Sequence, residues 1–253
     1  MGAYKRIDFN EKDKQILYLL YKHRYMDFTA LNIINPVNIT LYQRLEKLIK
    51  FGYVKKIAAE NIKVSIYTIT KQAQHWLAQN IQQEFDKPIL NKIKTSSMYN
   101  FNHHLFIAKI GALLTSKNID YEIDLTCKKA YPELKIIPDI IIKKDDGLTG
   151  FEIELEYKGA DKYAKKLSQL QTSKEIKKLI YLTNGKPDIL RNKVINIDRY
   201  KNGESIDERF IVDETKNKLM FIKLADFETD IDNYLSGKRT EKVQADNIEK
   251  DKK

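Results

Sequence analysis

Residues 138–156 read PDIIIKKDDGLTGFEIELE, in which an Asp-Gly dipeptide separates two segments of strand character. Asp-Gly at such a point favours a β-hairpin with a two-residue turn, so we place the turn at Asp146-Gly147. Asp139 then lies opposite Glu154. Side chains alternate between the two faces of a strand, so one face of the predicted hairpin is apolar and carries Ile136, Pro138, Ile140, Ile142, Phe151, Ile153, Leu155 and Tyr157.

The other face of the predicted hairpin is acidic and carries Asp139, Glu152, Glu154 and Glu156. Like charges that face each other on neighbouring strands destabilise the pairing, so these carboxylates need a counterion. Nearby lysines could supply it, and a hard divalent cation such as Mg²⁺ is a second candidate because it favours carboxylate and water oxygens. A metal there could activate water and neutralise charge on a scissile phosphate. The simpler alternative is a solvent-facing strand whose polar side is acidic.

The composition narrows the class of protein. With 253 residues, 42% of them hydrophobic and 32% charged, the chain can form two small domains with buried cores. Its net charge of +10 favours an anionic partner, nucleic acid first and an acidic membrane surface second. The single cysteine, Cys127, excludes an intramolecular disulfide and suits a reducing cytoplasm. No apolar run approaches the ~20 residues that span a bilayer, so we expect a soluble, cytoplasmic protein without a membrane partner.

The N-terminal third shows three helical patterns followed by two alternating segments. We predict helices at about 11–24, at FTALNII (28–34) and from about residue 40 to Gly52, and a hairpin over 54–70. This order resembles the winged helix-turn-helix. Residues 1–70 hold 12 Lys and Arg against 6 Asp and Glu, so +6 of the net charge of +10 lies there, which favours phosphate contacts.

The stretch TLYQRLEKLIKFGYVKK (40–56) resembles the recognition helix and first wing strand of that family. Such a helix can lie in the major groove of double-stranded DNA. The resemblance implies contacts to bases or phosphates from the predicted DNA-binding residues Gln43, Arg44, Lys47, Lys55 and Lys56. The alternative is a winged helix that contacts proteins, with its lysines serving solubility.

From Asn102 onward the pattern indicates an α/β domain with a central mixed sheet. A helix over 102–118 precedes strands at 121–125, 136–144, 150–158 and 177–183, with helices at about 159–174 and 187–196 and two further strands within 197–229. We therefore predict a mixed α+β or α/β fold. Its parts are a winged helix domain (1–86), a linker (87–100), an α/β domain (101–235) and a disordered tail (236–253).

Pro138-Asp139, followed by Glu154-Leu155-Glu156, resembles the PD-(D/E)xK nuclease motif, with glutamate in place of the usual lysine. The order of the whole chain resembles, more specifically, the replication-relaxation family and the related MobC-type plasmid mobilisation relaxases. In that group an N-terminal winged helix precedes a nuclease-like domain. The resemblance covers roughly residues 10–200.

The resemblance implies a set of site residues. Asp139, Glu154 and Glu156 would hold Mg²⁺ or Mn²⁺ or activate water, while Glu152 is a further ligand candidate because Glu152-x-Glu154 could be the active pair instead. Lys166 best fits the position of the family's phosphate-contacting lysine, and Lys158 and Lys165 are alternatives. One histidine that opens a helix, His104 or its neighbour His103, would point into the site. Tyr163 is a nucleophile only in principle.

The resemblance implies metal-dependent DNA nicking in plasmid mobilisation or replication, with the winged helix locating the site. The expected partners are double-stranded DNA at a plasmid origin or transfer origin and other relaxosome or replication proteins. A different class of function is equally compatible with these residues. In that class the chain is a DNA-binding regulator of plasmid replication or copy number, or a relaxosome accessory protein, with a decayed nuclease fold.

Overall fold

The structure is a computed structural model that describes residues 8–57, 64–81, 98–195 and 213–236. The chain divides into two compact units, Met1–Ile123 and Asp124–Lys253. Both units combine helices with β-strands, so the predicted mixed α+β class is confirmed. Within the described ranges, no helix is both long enough and apolar enough to cross a membrane.

The first unit contains five helices and four strands within its described residues. In chain order they are α1 (Glu11–Lys22), β1 (Met26–Asp27), α2 (Phe28–Ile34), α3 (Asn38–Lys50), β2 (Val54–Ile57), β3 (Ile66–Ile69), α4 (Lys71–Asn80), α5 (Met98–Ser116) and β4 (Tyr121–Ile123). The first three strands form an antiparallel sheet in the order β1-β3-β2.

Local sequence signals account for these elements. The side chain of Asn10 accepts a hydrogen bond from the backbone N–H of Asp13, and the Asp13 carboxylate accepts one from the Asn10 N–H, a capping box that begins α1. Asp27 caps α2, because its side chain accepts a hydrogen bond of 2.7 Å from the backbone N–H of Ala30. Gly52 follows α3 with φ +77°, a conformation that favours glycine. The leucines of α1 and α3 build the core, including Leu17, Leu20, Leu41, Leu45 and Leu48.

The second unit holds most of the mixed sheet. Its elements are α6 (Asp124–Ala130), β5 (Ile140–Lys144), β6 (Gly147–Glu154), α7 (Ala160–Thr172), β7 (Ile176–Thr183), α8 (Pro187–Ile195), α9 (Asp213–Asn217), β8 (Leu219–Lys223), α10 (Leu224–Thr229) and α11 (Ile231–Ser236). The strands that this unit contributes lie in the order β5-β6-β7-β8. β5 and β6 are antiparallel, whereas β6, β7 and β8 are parallel to one another.

Several sequence predictions fall partly outside the described residues. Most of the predicted linker (87–100) lies outside them, and α5 begins at Met98. The predicted tail lies outside them from residue 237 onward. Of the two strands predicted within 197–229, the second is β8, and the first lies largely outside the described ranges.

The predicted register of the hairpin is wrong by one residue on each strand. Lys144 pairs with Gly147, so the turn is Asp145-Asp146 and Gly147 opens β6. Gly147 has φ +136°, and a Cβ atom there would lie 2.7 Å from the Cγ atom of Lys177. Glycine is therefore needed at the first position of the strand, where the chain approaches β7, rather than inside the turn.

Each strand moves by one residue, so the predicted alternation is preserved within β5 and β6, with Ile140 opposite Phe151 on one face and Glu152 and Glu154 on the other. The predicted apolar face is wrong at its ends, because Ile136, Pro138, Leu155 and Tyr157 lie outside the two strands and Pro138 lies against Gly150 on the glutamate face. On one face, the Phe151 ring meets the ring of Phe227 from α10. On the other face, Tyr181 of β7 meets Tyr163 of α7. Helices therefore cover both faces of the sheet, and the strand that carries Glu152 and Glu154 is buried on both sides.

Candidate active site

The last residues of β6 place two carboxylates inside the second unit. Glu152 and Glu154 are each only 1% exposed. β6 is a central strand, and its parallel neighbour β7 sets Tyr181 beside Glu152 and Thr183 beside Glu154. Burying a charged carboxylate costs free energy unless a partner compensates it. Glu152 and Glu154 are therefore expected to have compensating partners nearby.

Two lysines supply the compensation. Lys166 of α7 forms an ion pair with Oε2 of Glu152. Lys158, in the segment between β6 and α7, places its Nζ 2.6 Å from Oε1 of Glu154. The backbone N–H of Lys158 also donates a hydrogen bond to the Tyr163 hydroxyl at 3.0 Å, which ties this segment to α7. Lysine is thus one counterion of the acidic face, as the sequence allowed.

Three buried glutamate oxygens accept no hydrogen bond from the described residues: both oxygens of Glu152, of which Oε2 is in the ion pair with Lys166, and Oε2 of Glu154. The hydroxyl of Tyr181 is likewise buried without a hydrogen-bond partner among them. Native proteins seldom leave buried polar atoms unsatisfied, and such atoms mark positions where water, an ion or a substrate is expected.

Asp139 joins this group from the segment before β5. Its Oδ2 accepts a hydrogen bond of 2.8 Å from the backbone N–H of Ile153. Ile153 lies between Glu152 and Glu154, so the aspartate is fixed to β6 at the residue between the two glutamates. The site therefore combines three carboxylates with Lys158 and Lys166.

Burial and neighbouring charges shift the protonation equilibria of the site. Burial raises the pKa of Glu152 to about 7, against the opposing charge of Lys166 and with a further upward contribution from Asp139. Burial also raises the pKa of Glu154, against the hydrogen bond from Lys158. Burial places the pKa of the Tyr181 phenol well above its ordinary value, with the charge of Glu152 next in weight. Glu152 can therefore gain or lose a proton near neutral pH, as a general acid or base requires.

The other predicted site residues have different surroundings from Glu152 and Glu154. Glu156 follows the end of β6 and is exposed. His104 belongs to α5 of the first unit, where its ring lies edge-on to Tyr25 with centroids 6.1 Å apart. Lys165 is exposed on α7. Of the two pairs that the sequence left open, Glu152 and Glu154 are the buried pair, and the partly exposed Asp139 is hydrogen-bonded to the residue between them.

The donor set suits a hard divalent cation. Within the described ranges, no three His, Cys, Asp or Glu side chains are grouped so that they could hold a metal ion. Mg²⁺, however, is commonly bound by one or two carboxylates, with water and substrate phosphate oxygens completing its coordination. The unsatisfied oxygens of Glu152 and Glu154 are ligands of that kind.

A second candidate surface lies on α3 and β2 of the first unit. Gln43, Lys47, Lys55 and Lys56 are exposed there, as predicted for DNA-contacting residues. Arg44 instead forms an ion pair of 2.9 Å with Asp13, whose side chain is 2% exposed. The ion pair gives Arg44 a role in the packing of α3 against α1.

Sequence reasoning missed two groups of residues. Ile39 and Tyr42 are 73% and 55% exposed on α3, and helical spacing from the buried Leu41, Leu45 and Leu48 could have placed them on the outer face. Tyr181 was missed because it lies in the strand KKLIYLT, where nothing in the sequence separates it from its apolar neighbours.

Comparisons of the chain with protein-family models, with curated proteins and with solved structures found no match. Functional inference therefore rests on the residues and geometry of the chain itself. Two features are the basis for that inference. One is the buried group of carboxylates and lysines in the second unit, and the other is the group of exposed side chains on α3 and β2 of the first unit.

Proposed function

We propose that the chain is a divalent-metal-dependent DNA endonuclease of the relaxase-like kind, which nicks DNA in plasmid mobilisation or replication. One observation carries the proposal. Glu152 and Glu154 are buried side by side on one face of β6, each in an ion pair with a lysine, and three of their four carboxylate oxygens accept no hydrogen bond from the described residues. Buried carboxylates with shifted pKa values mark a candidate active site more often than a structural ion pair alone does.

The chemistry follows from the types of side chain. Mg²⁺ or Mn²⁺ would be held by Glu152 and Glu154 with Asp139 beside them, and would supply activation of water and neutralisation of charge on the phosphate. Lys158 and Lys166 are positive groups in contact with these carboxylates and are suited to phosphate oxygens. Without a metal, burial raises the pKa of Glu152 to about 7, and a bound cation would keep its carboxylate ionised.

The first unit would deliver this site to DNA. We propose that its helices and three-stranded sheet act as a winged helix, with α3 in the major groove and β2 in the wing. Gln43 and Lys47 of α3, together with Lys55 and Lys56 of β2, are exposed and are suited to bases and phosphates. The exposed side chains of Ile39 and Tyr42 add apolar contacts on the same helix.

A plasmid-nicking assay tests the proposal. Supercoiled plasmid incubated with the full chain and Mg²⁺ or Mn²⁺ should convert to the open circular form, and EDTA should prevent the conversion. Glu154→Gln removes a charge from the site and should lower the rate at least a hundredfold, whereas the exposed Glu156→Gln is the matched control and should nick at the wild-type rate. Equal rates for the wild type and Glu154→Gln would refute it.

A second function has one observation in its favour. Each buried glutamate already has a lysine partner, so the sheet tolerates its carboxylates without a metal. The chain would then be a DNA-binding regulator of plasmid replication or copy number, or a relaxosome accessory protein. In a gel-shift assay its affinity for DNA would be the same in EDTA as in Mg²⁺, and no strand would be cut in either condition.

A further inference from the structure

We infer that the ring of Tyr157, beside the carboxylate site, is a stacking platform for an unpaired nucleotide, so that the substrate is single-stranded or locally melted DNA. This inference rests on the proposed function and specifies its substrate class. Tyr157 lies three residues after Glu154, directly before Lys158. It is 38% exposed, so part of the residue is open to solvent.

The position of the ring is fixed by its neighbours. Its hydroxyl lies 3.5 Å from the carbonyl oxygen of Lys186. A Cβ atom at Gly185 would lie 2.7 Å from the same hydroxyl, so the ring occupies space that only glycine leaves open. The backbone N–H of Gly185 donates to the Thr183 hydroxyl at 3.0 Å, which shapes the turn after β7. A ring held in this way loses little conformational entropy when it binds a ligand.

The charges around the ring match a nucleic-acid strand. The Nζ of Lys193 lies 4.5 Å from the ring centroid, a cation–π contact. Lys186 is exposed at the adjoining turn, and Lys158 lies next in sequence to the ring. An aromatic side chain among cations is the arrangement by which proteins bind single strands, with the base on the ring and the cations on the phosphates.

The location of the Tyr157 ring indicates the path of the bound DNA strand. Tyr157 and the Gly185 turn follow the carboxyl ends of the parallel strands β6 and β7, the edge where ligands bind in sheets of this kind. Glu154 and Thr183 are paired at the same edge. A base stacked on Tyr157 would therefore bring its phosphate beside the carboxylates. Bases inside a duplex are stacked on one another and cannot take this position.

A binding assay in EDTA tests the inference without cleavage. The probe is a single-stranded ten-nucleotide oligothymidine that carries one 2-aminopurine, whose fluorescence falls when it stacks on a ring. The full-length wild type should bind and quench this probe. Tyr157→Ala should raise its Kd about tenfold and abolish the quenching, because one base–aromatic stack is lost. Tyr157→Phe keeps the ring and should retain both, which also guards against a folding defect.

Ile189→Ala is the matched control, because this exposed apolar side chain lies on α8, the helix that carries Lys193. It should leave the Kd unchanged. Equal Kd and equal quenching for the wild type and Tyr157→Ala would overturn the inference. If Tyr157→Ala no longer binds the probe and the wild type nicks no plasmid, the stacking role of Tyr157 is supported and the proposed nuclease function is refuted. If the wild type nicks plasmid and Tyr157→Ala binds the probe as the wild type does, the proposed nuclease function is supported and the stacking role of Tyr157 is refuted.

Discussion

At the scale of residues, three buried carboxylates of this chain are held by cations on other elements or loops. The pairs are Asp13 with Arg44, Glu152 with Lys166 and Glu154 with Lys158. Replacing both members of a buried pair can cost little, but removing one leaves an uncompensated charge and is strongly destabilising. Removal of one member from any of these three pairs is therefore expected to destabilise the protein.

Changing Arg44 to Ala should destabilise the first unit by about 3 kcal/mol, because it leaves the buried Asp13 carboxylate without its cation. Trp76 is the single tryptophan and packs against the core of this unit, so its fluorescence during urea unfolding reports the change. Lys47→Ala on the same helix is the exposed control and should cost no more than about 0.5 kcal/mol. Similar losses from both variants would contradict the structural role of Arg44.

His23 should make the first unit sensitive to acid. It is buried, its ring lies 2.7 Å from the Tyr121 hydroxyl, and burial together with the charges of Lys22 and His104 lowers its pKa to about 3. The unfolded chain protonates this residue below about pH 6.5 and the folded chain does not, so stability falls as the pH falls through that range. Between pH 7.5 and pH 5 the loss should be about 2 kcal/mol.

His23→Gln cannot titrate and should lose less stability over the same interval, followed by Trp76 fluorescence in urea at the two pH values. His75→Gln, at an exposed position on α4, should behave as the wild type does. An unchanged pH dependence in His23→Gln would show that the buried ring is protonated in the folded state.

The acidic face itself could be predicted from residues alone, because alternation along a strand decides which side chains share a face. The sequence could not decide between Glu152-x-Glu154 and Glu154-x-Glu156 as the pair at the site. The choice depends on where β6 ends, and the strand stops at Glu154, which leaves Glu156 exposed. The pairing of Arg44 with Asp13 could not be predicted from the sequence either, because it joins residues of two helices that are 31 positions apart in the chain.

At the scale of elements, the hairpin shows how a tertiary contact overrides a local signal. Asp146-Gly147 is a strong two-residue turn dipeptide, yet the turn is Asp145-Asp146. The glycine is required where β6 approaches the chain entering β7, since a Cβ there would also lie 3.0 Å from the carbonyl oxygen of Glu175. The helices and strands of the first unit were predictable because caps and apolar spacing specify them locally.

Gly147→Ala should destabilise the second unit by about 2 kcal/mol, because it forces an L-residue to φ +136° and crowds Lys177. Circular dichroism during urea unfolding reports on the whole chain, whereas Trp76 fluorescence reports on the first unit. The loss of stability should therefore appear in the circular dichroism transition and not in the fluorescence transition. Gly159→Ser is the matched control: no heavy atom lies within 4 Å of its Cβ position, and serine is a favoured N-cap for α7. A Gly147→Ala protein as stable as wild type would contradict the register.

At the scale of the whole molecule, the two units differ in how their charged residues are arranged. Residues 1–70 carry +6 of the net charge of +10, whereas Glu152 and Glu154 belong to the second unit. The class of fold was predictable from the order of elements. The sequence named Lys158 and Lys166 as candidate phosphate contacts, but it did not give their ion pairs with Glu154 and Glu152 or the position of Tyr181 beside Glu152. Those contacts join a loop, a helix and a neighbouring strand and depend on the assembled sheet.

The most direct test of the account is anomalous diffraction from crystals of the full chain soaked in Mn²⁺. The account predicts one manganese peak bound by Glu152 and Glu154, at the oxygens that accept no hydrogen bond from the described residues. The peak should be absent in crystals of a Glu152→Gln and Glu154→Gln double variant. Wild-type crystals with no manganese at these carboxylates, and with Lys158 and Lys166 still in their ion pairs, would contradict the claim that the site holds a metal.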